Sequence, residues 1–247
     1  MKNFFKVVLI VITIIIGATL IFGVGMYFKF KSETKDMSAI ATKEVVANVY
    51  AINDSFVNMF LVKDSTHYIA IDAGNDAGTI SEGLKKLSID PDKVIAVLLT
   101  HTDKDHVAAL KLFRNARLYF SRPEEQMING NKSKFLFFGN HISTTEYTLL
   151  DDQQTLNIGK IKVKGYLTPG HTSGSMCYLV NDKYLFTGDA LSLKNGKIGK
   201  FNKFFNMEDE TAKNSILKIT KIDSAQYIFT AHYGFTGDYK NAVKDWK

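Results

Sequence analysis

Short apolar runs alternate with segments of helical spacing from residue 57 onward. Residues 57–74 predict two strands joined at the polar segment "KDST", and residues 155–168 alternate apolar and polar positions as a half-exposed hairpin does. Residues 76–87 repeat apolar positions at helical spacing. Residues 93–100, "KVIAVLLT", form the continuous apolar run of a strand buried on both faces.

The second half of the chain repeats this alternation. Residues 176–189 predict another hairpin, which turns at Asn181 and Asp182. Residues 208–220 predict a helix, and residues 226–232 predict a last strand. Strands with interspersed helices in two similar halves indicate a mixed α/β domain whose sheets are covered by helices.

The N-terminus has a different pattern, because residues 7–28 are 22 positions without a charge. A helix of that length spans roughly 33 Å, enough for the core of a bilayer. We predict a transmembrane anchor over residues 1–28, a linker over residues 29–40 and one domain over residues 41–247. The alternative is a cleaved signal peptide, whose apolar region is shorter and ends at small residues.

Lysines flank the apolar segment on both sides, so the positive-inside count is nearly even. A head of six residues is easily retained in the cytoplasm, and we expect a single-pass protein of the cell membrane with an extracytoplasmic domain. Of the net charge of +6, residues 1–40 carry five basic and two acidic groups, which leaves 26 and 23 for the domain. This near balance argues against a nucleic-acid partner and favours a small-molecule substrate.

The segment that follows the buried strand at residues 93–100 carries candidate chemistry. Two histidines and two aspartates lie within six residues: His101, Asp103, Asp105 and His106. Imidazole nitrogen and carboxylate oxygen suit Zn²⁺, Fe²⁺ and Mn²⁺, and such groups would repel or lack partners if they were buried without a cation. The alternative is a polar loop in which Asp105 caps a helix over residues 106–115, but this leaves both histidines unexplained.

Three later strands also end in side chains that bind metals. His171 stands in a turn made by Pro169 and Gly170, Asp189 follows a glycine after a hairpin strand, and His232 ends the last strand. The chain has six histidines, and four of them lie in the segment after the buried strand or at these later positions: His101, His106, His171 and His232.

These motifs, together with the "IDAG" segment at residues 71–74, resemble the metallo-β-lactamase-fold hydrolase superfamily in their order along residues 45–240. The family's pattern is H-x-H-x-D-H, then one histidine, one bridging aspartate and a final histidine. The resemblance implies a four-layer αββα sandwich of two mixed sheets. It also implies a dinuclear site in which a metal-bound hydroxide attacks the substrate.

The resemblance assigns the ligands position by position. Asp189 would bridge two divalent ions, with Zn²⁺ as the first choice and Mn²⁺ or Fe²⁺ as alternatives. Asp105 would also orient the nucleophile, as the catalytic residue. One ion would be held by His101, Asp103 and His171, and the other by Asp105, His106 and His232.

Asp103 stands where most members have histidine. A carboxylate still binds metals, and the oxygen-richer site favours harder cations such as Mn²⁺ or Fe²⁺ relative to Zn²⁺. Some relatives, including a domain of DNA-uptake membrane proteins, are similar in carrying aspartate there. The alternative is a degenerate site that holds one ion or none.

Three activities of that family are distinguished by different sequence features. Glyoxalase II enzymes hold glutathione with a C-terminal helical region, and only fifteen residues follow His232. Quorum-signal lactonases carry a tyrosine three residues after the bridging aspartate, where this chain has Ser192. True β-lactamases mostly keep histidine at the position of Asp103. The resemblance therefore implies hydrolysis of an ester, a thioester or a similar acyl substrate.

Two other functions stay open: a phosphodiesterase or nuclease with the same dinuclear site, and a non-catalytic metal-binding module. Phe204 and Phe205 in the segment "KFNKFF" follow Asp189, where the family often places a loop beside the substrate, and they are candidate substrate contacts. Cys177, the single cysteine, excludes an internal disulfide and is expected to be a buried small hydrophobe.

Overall fold

The computed structural model describes residues 2–134, 139–142 and 144–246. Its backbone separates into two compact units, Met1–Asp36 and Met37–Lys247. The predicted boundaries at residues 28 and 40 stay predictions.

The first unit is a single helix, α1 (Lys2–Thr34), of 33 residues. It contains a window of mean hydropathy 3.0 and is long and apolar enough to cross a membrane. Its polar Thr13 and Thr19 donate hydrogen bonds to carbonyl oxygens four residues earlier, which satisfies both hydroxyls within the helix. The helix continues six residues past residue 28, into the segment that was predicted to be a linker.

The second unit contains strands and short helices. The strands are β1 (Lys43–Val46), β2 (Val49–Asp54), β3 (Val57–Asp64), β4 (His67–Ile71), β5 (Val94–Leu98), β6 (Arg117–Ser121), β7 (Thr148–Leu150), β8 (Thr155–Ile158), β9 (Ile161–Leu167), β10 (Met176–Val180), β11 (Tyr184–Phe186), β12 (Leu191–Lys194), β13 (Lys197–Lys200), β14 (Tyr227–Phe229) and β15 (Phe235–Thr236). The helices are α2 (Ala77–Lys86), α3 (Lys104–Val107), α4 (Glu125–Ile128), α5 (Asp209–Ile219) and α6 (Tyr239–Ala242).

Within the described residues, β1 to β7 form one sheet in sequence order, antiparallel from β1 to β4 and parallel from β4 to β7. A second sheet has the order β15-β14-β11-β10-β9-β8, and β11 and β14 are parallel within it. β12 and β13 pair as a separate hairpin that the sequence pattern did not predict. Both large sheets are mixed, as predicted.

The main core lies between the two sheets, where Phe60 of β3 packs against Phe186 and Phe229 with ring centroids 5.4 Å apart. The outer face of the first sheet is covered by α2, which buries Ile80 and Leu84. The outer face of the second sheet is covered by α5 and α6. The predicted four-layer αββα sandwich is confirmed.

The segment after β5 differs from its prediction. The helix expected over residues 106–115 is reduced to α3 and one short 3-10 turn. The N–H groups of Ala108 and Ala109 donate to the carbonyls of Gly74 and Ala73 rather than to carbonyls of their own helix. The segment therefore packs on the loop that contains Asp72, and this contact holds the site described below.

Candidate metal centre

Four chain segments converge at one end of the sandwich. His101, Asp103, Asp105 and His106 follow β5, His171 lies between β9 and β10, Asp189 follows β11, and His232 follows β14. The structure brings all seven predicted metal ligands together.

Three of these residues form what we call the first group: His101, Asp103 and His171. Asp103 Oδ2 lies 3.2 Å from His171 Nε2 and 3.5 Å from His101 Nε2. The two imidazole rings meet edge to face with centroids 4.7 Å apart. One cation between these three side chains could contact all of them.

Asp105, His106 and His232 form what we call the second group. Asp105 Oδ2 lies 3.5 Å from His232 Nε2 and 3.7 Å from His106 Nε2. The alternative role of Asp105 as a helix cap is wrong, because α3 begins at Lys104 and its N-cap is Asp103. Asp105 instead lies in the first turn of α3 and directs its carboxylate to the histidines.

Asp189 lies between the two groups and faces each with a different oxygen. Its Oδ2 is 3.3 Å from His171 Nε2, and its Oδ1 is 3.1 Å from His232 Nε2 and 3.6 Å from His106 Nε2. Gly188 places the aspartate there with φ of +50°, and a Cβ on this glycine would collide with the side chain of Thr100. The geometry suits a carboxylate that bridges two cations.

The four histidines share one orientation, because each Nδ1 faces an oxygen and leaves Nε2 towards the centre. The four distances from Nδ1 are His101 to Thr100 Oγ1 at 3.1 Å, His106 to Asp72 Oδ2 at 2.9 Å, His171 to Asn206 Oδ1 at 3.3 Å and His232 to the Phe56 carbonyl at 2.8 Å. With the proton on Nδ1, every Nε2 carries the lone pair that coordination to a metal ion requires.

Three buried polar atoms support a cation at this position. His101 Nε2, His106 Nε2 and Asp189 Oδ1 have no hydrogen-bond partner among the described residues. Leaving such an atom buried and unpaired costs about 1–3 kcal/mol. With both imidazoles protonated on Nδ1 alone, all three atoms offer lone pairs, and a divalent cation would satisfy them together. The residues present fit a metal.

The second group carries unbalanced negative charge. Burial opposes a charge on His106, but the carboxylates of Asp105, Asp72 and Asp189 raise its pKa to about 10. Burial would raise the pKa of Asp189, and the His232, His106 and His171 rings hold it well below its usual range. A divalent cation bound in the second group would balance the same carboxylates.

The first group already contains a cation that the sequence pattern did not reveal. The Lys134 ammonium donates hydrogen bonds to the Asp103 carboxylate and to His171 Nε2. Burial opposes the charge of Asp103, but Lys134 and then His101 hold the pKa of that carboxyl well below its usual range. Burial and the Lys134 ammonium lower the pKa of His171 to about 4.

Two buried carboxylates hold the loops of the site. Asp72, in the left-handed region with φ of +61°, accepts hydrogen bonds from the Thr100 amide and hydroxyl and from His106. Glu124 accepts from Thr102 and Thr172, which neighbour His101 and His171. The sequence contained Asp72 in the "IDAG" segment, but it held no signal that singled out Glu124 or Lys134.

The predicted substrate contacts lie beside Phe201, whose ring is 6.3 Å from that of Phe205. Phe204 and Phe205 are half-buried and pack against each other with ring centroids 5.0 Å apart. Two aromatic rings lie directly against the histidines. Phe201 is 4.9 Å from the ring of His171 and 6.0 Å from the ring of His232, and Phe56 stacks on His232 with centroids 5.7 Å apart. The role of Phe204 and Phe205 as substrate contacts stays a prediction.

Comparison with known proteins identifies a family model, curated relatives and solved structures to which this chain is similar. The model of the metallo-beta-lactamase superfamily matches residues 52–232. A probable metallo-hydrolase of Methanocaldococcus jannaschii is 30% identical over 63% of this chain and 64% of its own length. A probable polyketide biosynthesis zinc-dependent hydrolase of Bacillus velezensis is 32% identical over 50% of this chain and 49% of its own length.

A hydroxyacylglutathione hydrolase of Aeromonas salmonicida is 27% identical over 76% of this chain and 64% of its own length. The chain thus spans about half to two thirds of the length of these curated relatives. Among solved structures, a B3 metallo-beta-lactamase with an active-site glutamic acid has the same fold. It has a TM-score of 0.66 at 16% identity and covers 89% of this chain and 90% of its own.

Proposed function

The chain belongs to the metallo-beta-lactamase superfamily, and from this membership we propose that it is a metal-dependent hydrolase of an ester, a thioester or a similar acyl substrate. The observation that carries the proposal is the carboxylate of Asp189, which faces one group of side chains with each oxygen. The names of the curated relatives, which include hydrolases of several kinds, support the reaction class.

We propose that the first and second groups each hold one divalent ion and that Asp189 bridges the two. Zn²⁺ is the first choice because a relative is named as a zinc-dependent hydrolase, and Mn²⁺ or Fe²⁺ are the alternatives in an oxygen-rich site. Bound divalent cations would lower the pKa of a coordinated water and polarise the substrate carbonyl.

The chain's own side chains would prepare this chemistry. Asp105, whose side chain is 24% exposed, would accept a hydrogen bond from the attacking water and direct it at the acyl carbon. Asp72 and the Phe56 carbonyl keep His106 and His232 in the metal-binding tautomer. Phe201 packs against the histidines and excludes water on that side.

We also propose that residues 7–28 anchor the enzyme in the cell membrane, with the domain on the extracytoplasmic side. The length and hydropathy of α1 support the anchor. Protease treatment of intact cells would test the proposed orientation: an extracytoplasmic domain is cleaved, and a protected domain contradicts it.

The function is tested with purified full-length protein in detergent. After metal removal and reconstitution with Zn²⁺, Mn²⁺ or Fe²⁺, we expect turnover of a p-nitrophenyl ester, a lactone or a thioester. Turnover confined to a bis-phosphodiester would assign a phosphodiesterase instead. Metal binding without turnover of any of these would support a non-catalytic module, and absence of metal binding would overturn the centre itself.

A further inference from the structure

Lys134 contributes an ammonium group to the inside of the first group. Its side chain is only 8% exposed, and Nζ donates to Asp103 Oδ2 and, over 2.7 Å, to His171 Nε2. A buried ammonium is costly unless it is paired and hydrogen-bonded, and these two partners supply both conditions.

The contact with His171 uses a lone pair that a metal ion would also need. An ammonium group has donors and no acceptor, so His171 Nε2 must be the acceptor. Its other nitrogen, Nδ1, is directed at Asn206 Oδ1. Because Nε2 has a single lone pair, it cannot bind Lys134 and a metal ion at the same time.

Asp103 is likewise both a predicted metal ligand and a hydrogen-bond partner of Lys134. Its Oδ2 binds Lys134, and its Oδ1 accepts a hydrogen bond of 2.9 Å from Asn140 Nδ2. A neutral histidine at position 103 would offer no negative charge to the ammonium. The carboxylate at position 103 is therefore matched by a lysine that pairs with it.

Among the described residues, the second group contains no such cation. Within the part of the chain that the structure describes, the ion-pair partners of Asp105 and Asp189 are histidines, and no lysine or arginine pairs with either. His106 Nε2 and Asp189 Oδ1 also lack a hydrogen-bond partner there. A divalent ion would enter the second group without displacing a fixed charge.

We propose that Lys134 occupies the first group as a built-in competitor of the metal, so that the second group fills first and an ion enters the first group only by displacing the lysine. This proposal rests on the proposed metal centre and adds an order of filling to it. It assigns Lys134 a role in setting how many ions the protein holds at a given free-metal concentration.

The test is a Zn²⁺ titration of the full-length protein in detergent, in competition with a chromogenic chelator of known affinity. Wild type should bind one equivalent at least tenfold more tightly than the second. Lys134→Met, which is of similar length and neutral, should tighten the second equivalent by about 10–100-fold, the range by which outer partners change metal affinity. The first equivalent should stay within about threefold of wild type on the same scale.

Two variants separate competition from other effects. Lys134→Arg keeps a cation and should leave the second equivalent weak. Lys132→Met removes an exposed lysine from the same loop and should behave as wild type. Thermal unfolding of each metal-free variant establishes that it is folded.

Equal affinity of the two equivalents in wild type would overturn the proposal, and this result needs no variant. An unchanged or weaker second equivalent in Lys134→Met would also overturn it, the weaker one because Lys134 would then position Asp103 for the metal. Failure of wild type to bind any Zn²⁺ would overturn the proposed function and is distinct from both results.

Discussion

The first and second groups have the same kinds of side chain and differ in charge. Each combines two histidines with one aspartate and shares Asp189. In the first group the Lys134 ammonium neutralises Asp103 and lowers the pKa of His171 to about 4. In the second group the carboxylates raise the pKa of His106 to about 10. A side chain outside a ligand motif can therefore make two similar sites unequal.

The largest effect is expected for Asp189→Ala, which removes the one carboxylate that both groups share. Because its two oxygens face opposite groups, the affinity for both metal equivalents should weaken. Hydrolysis should fall by more than about a hundredfold, because loss of a ligand should cost more than the roughly 10–100-fold loss seen for outer partners. Metal content of the purified protein and turnover measure this. Asp223→Ala, an exposed control, should change neither. Loss of one equivalent alone would contradict a bridging role.

His232→Ala and His171→Ala would separate the groups. We expect the tighter-binding equivalent to occupy the second group, where His232 Nε2 lies, so His232→Ala should abolish it. The weaker-binding equivalent should occupy the first group, where His171 Nε2 lies, so His171→Ala should remove only that one. The chelator competition titration distinguishes them, and identical binding curves for the two variants would refute the division into groups.

Asp72→Asn would weaken the second group indirectly. Asp72 accepts from the Thr100 amide with one oxygen and from His106 Nδ1 with the other, and an asparagine has a single oxygen that can serve only one of these donors. We expect the first equivalent to weaken by about 10–100-fold. Asp54→Asn is the matched control, because Asp54 accepts hydrogen bonds from Asn75 and Asp76 on the same loop without touching a histidine. Equal losses of metal affinity in both variants would mean that Asp72 only stabilises the loop.

Glu124→Gln should act on the first group through its loops. Glu124 is buried and accepts hydrogen bonds from Thr102, Thr172 and Gly174. The amide leaves at least one donor unpaired, so the free energy of unfolding should fall by about 1–3 kcal/mol. Denaturant titration of the metal-free protein measures this. The second metal equivalent should weaken more than the first, and the opposite order would contradict the assignment.

The smallest effect is expected for Phe204→Ala and Phe205→Ala, because neither residue is one of the seven predicted metal ligands. If they contact substrate, KM should rise a few-fold while metal affinity stays that of wild type. Steady-state kinetics beside the metal titration would show this. A changed metal affinity with unchanged KM would instead indicate that these rings only support Phe201, which lies 6.3 Å from Phe205.

The apolar runs of the strands predicted a mixed α/β domain, and the motifs that follow them in order carried the resemblance that implied the αββα sandwich. The sequence also predicted which side chains would meet, since His101, Asp189 and His232 each follow the end of a buried strand. The helix over residues 106–115 was wrong because Ala108 and Ala109 bond to the Asp72 loop, a long-range contact that local propensity does not contain.

Lys134 shows the limit of that reasoning. It lies 31 residues after Asp103 in a segment without regular structure, and one lysine among many carries no pattern. The unusual aspartate at position 103 was visible in the sequence, but its partner was not. The role of Glu124 could not be predicted for the same reason, because only tertiary contacts place it between Thr102 and Thr172.

The most direct test of the metal centre is anomalous diffraction at the zinc edge from crystals grown with Zn²⁺. The strongest peak should lie within about 2.0–2.2 Å of His106 Nε2, His232 Nε2 and a carboxylate oxygen of Asp105 or Asp189, as Zn²⁺ coordination requires. A weaker peak at His101, Asp103 and His171 should accompany displacement of Lys134. Zinc peaks confined to other parts of the molecule, with none among these seven side chains, would contradict the account.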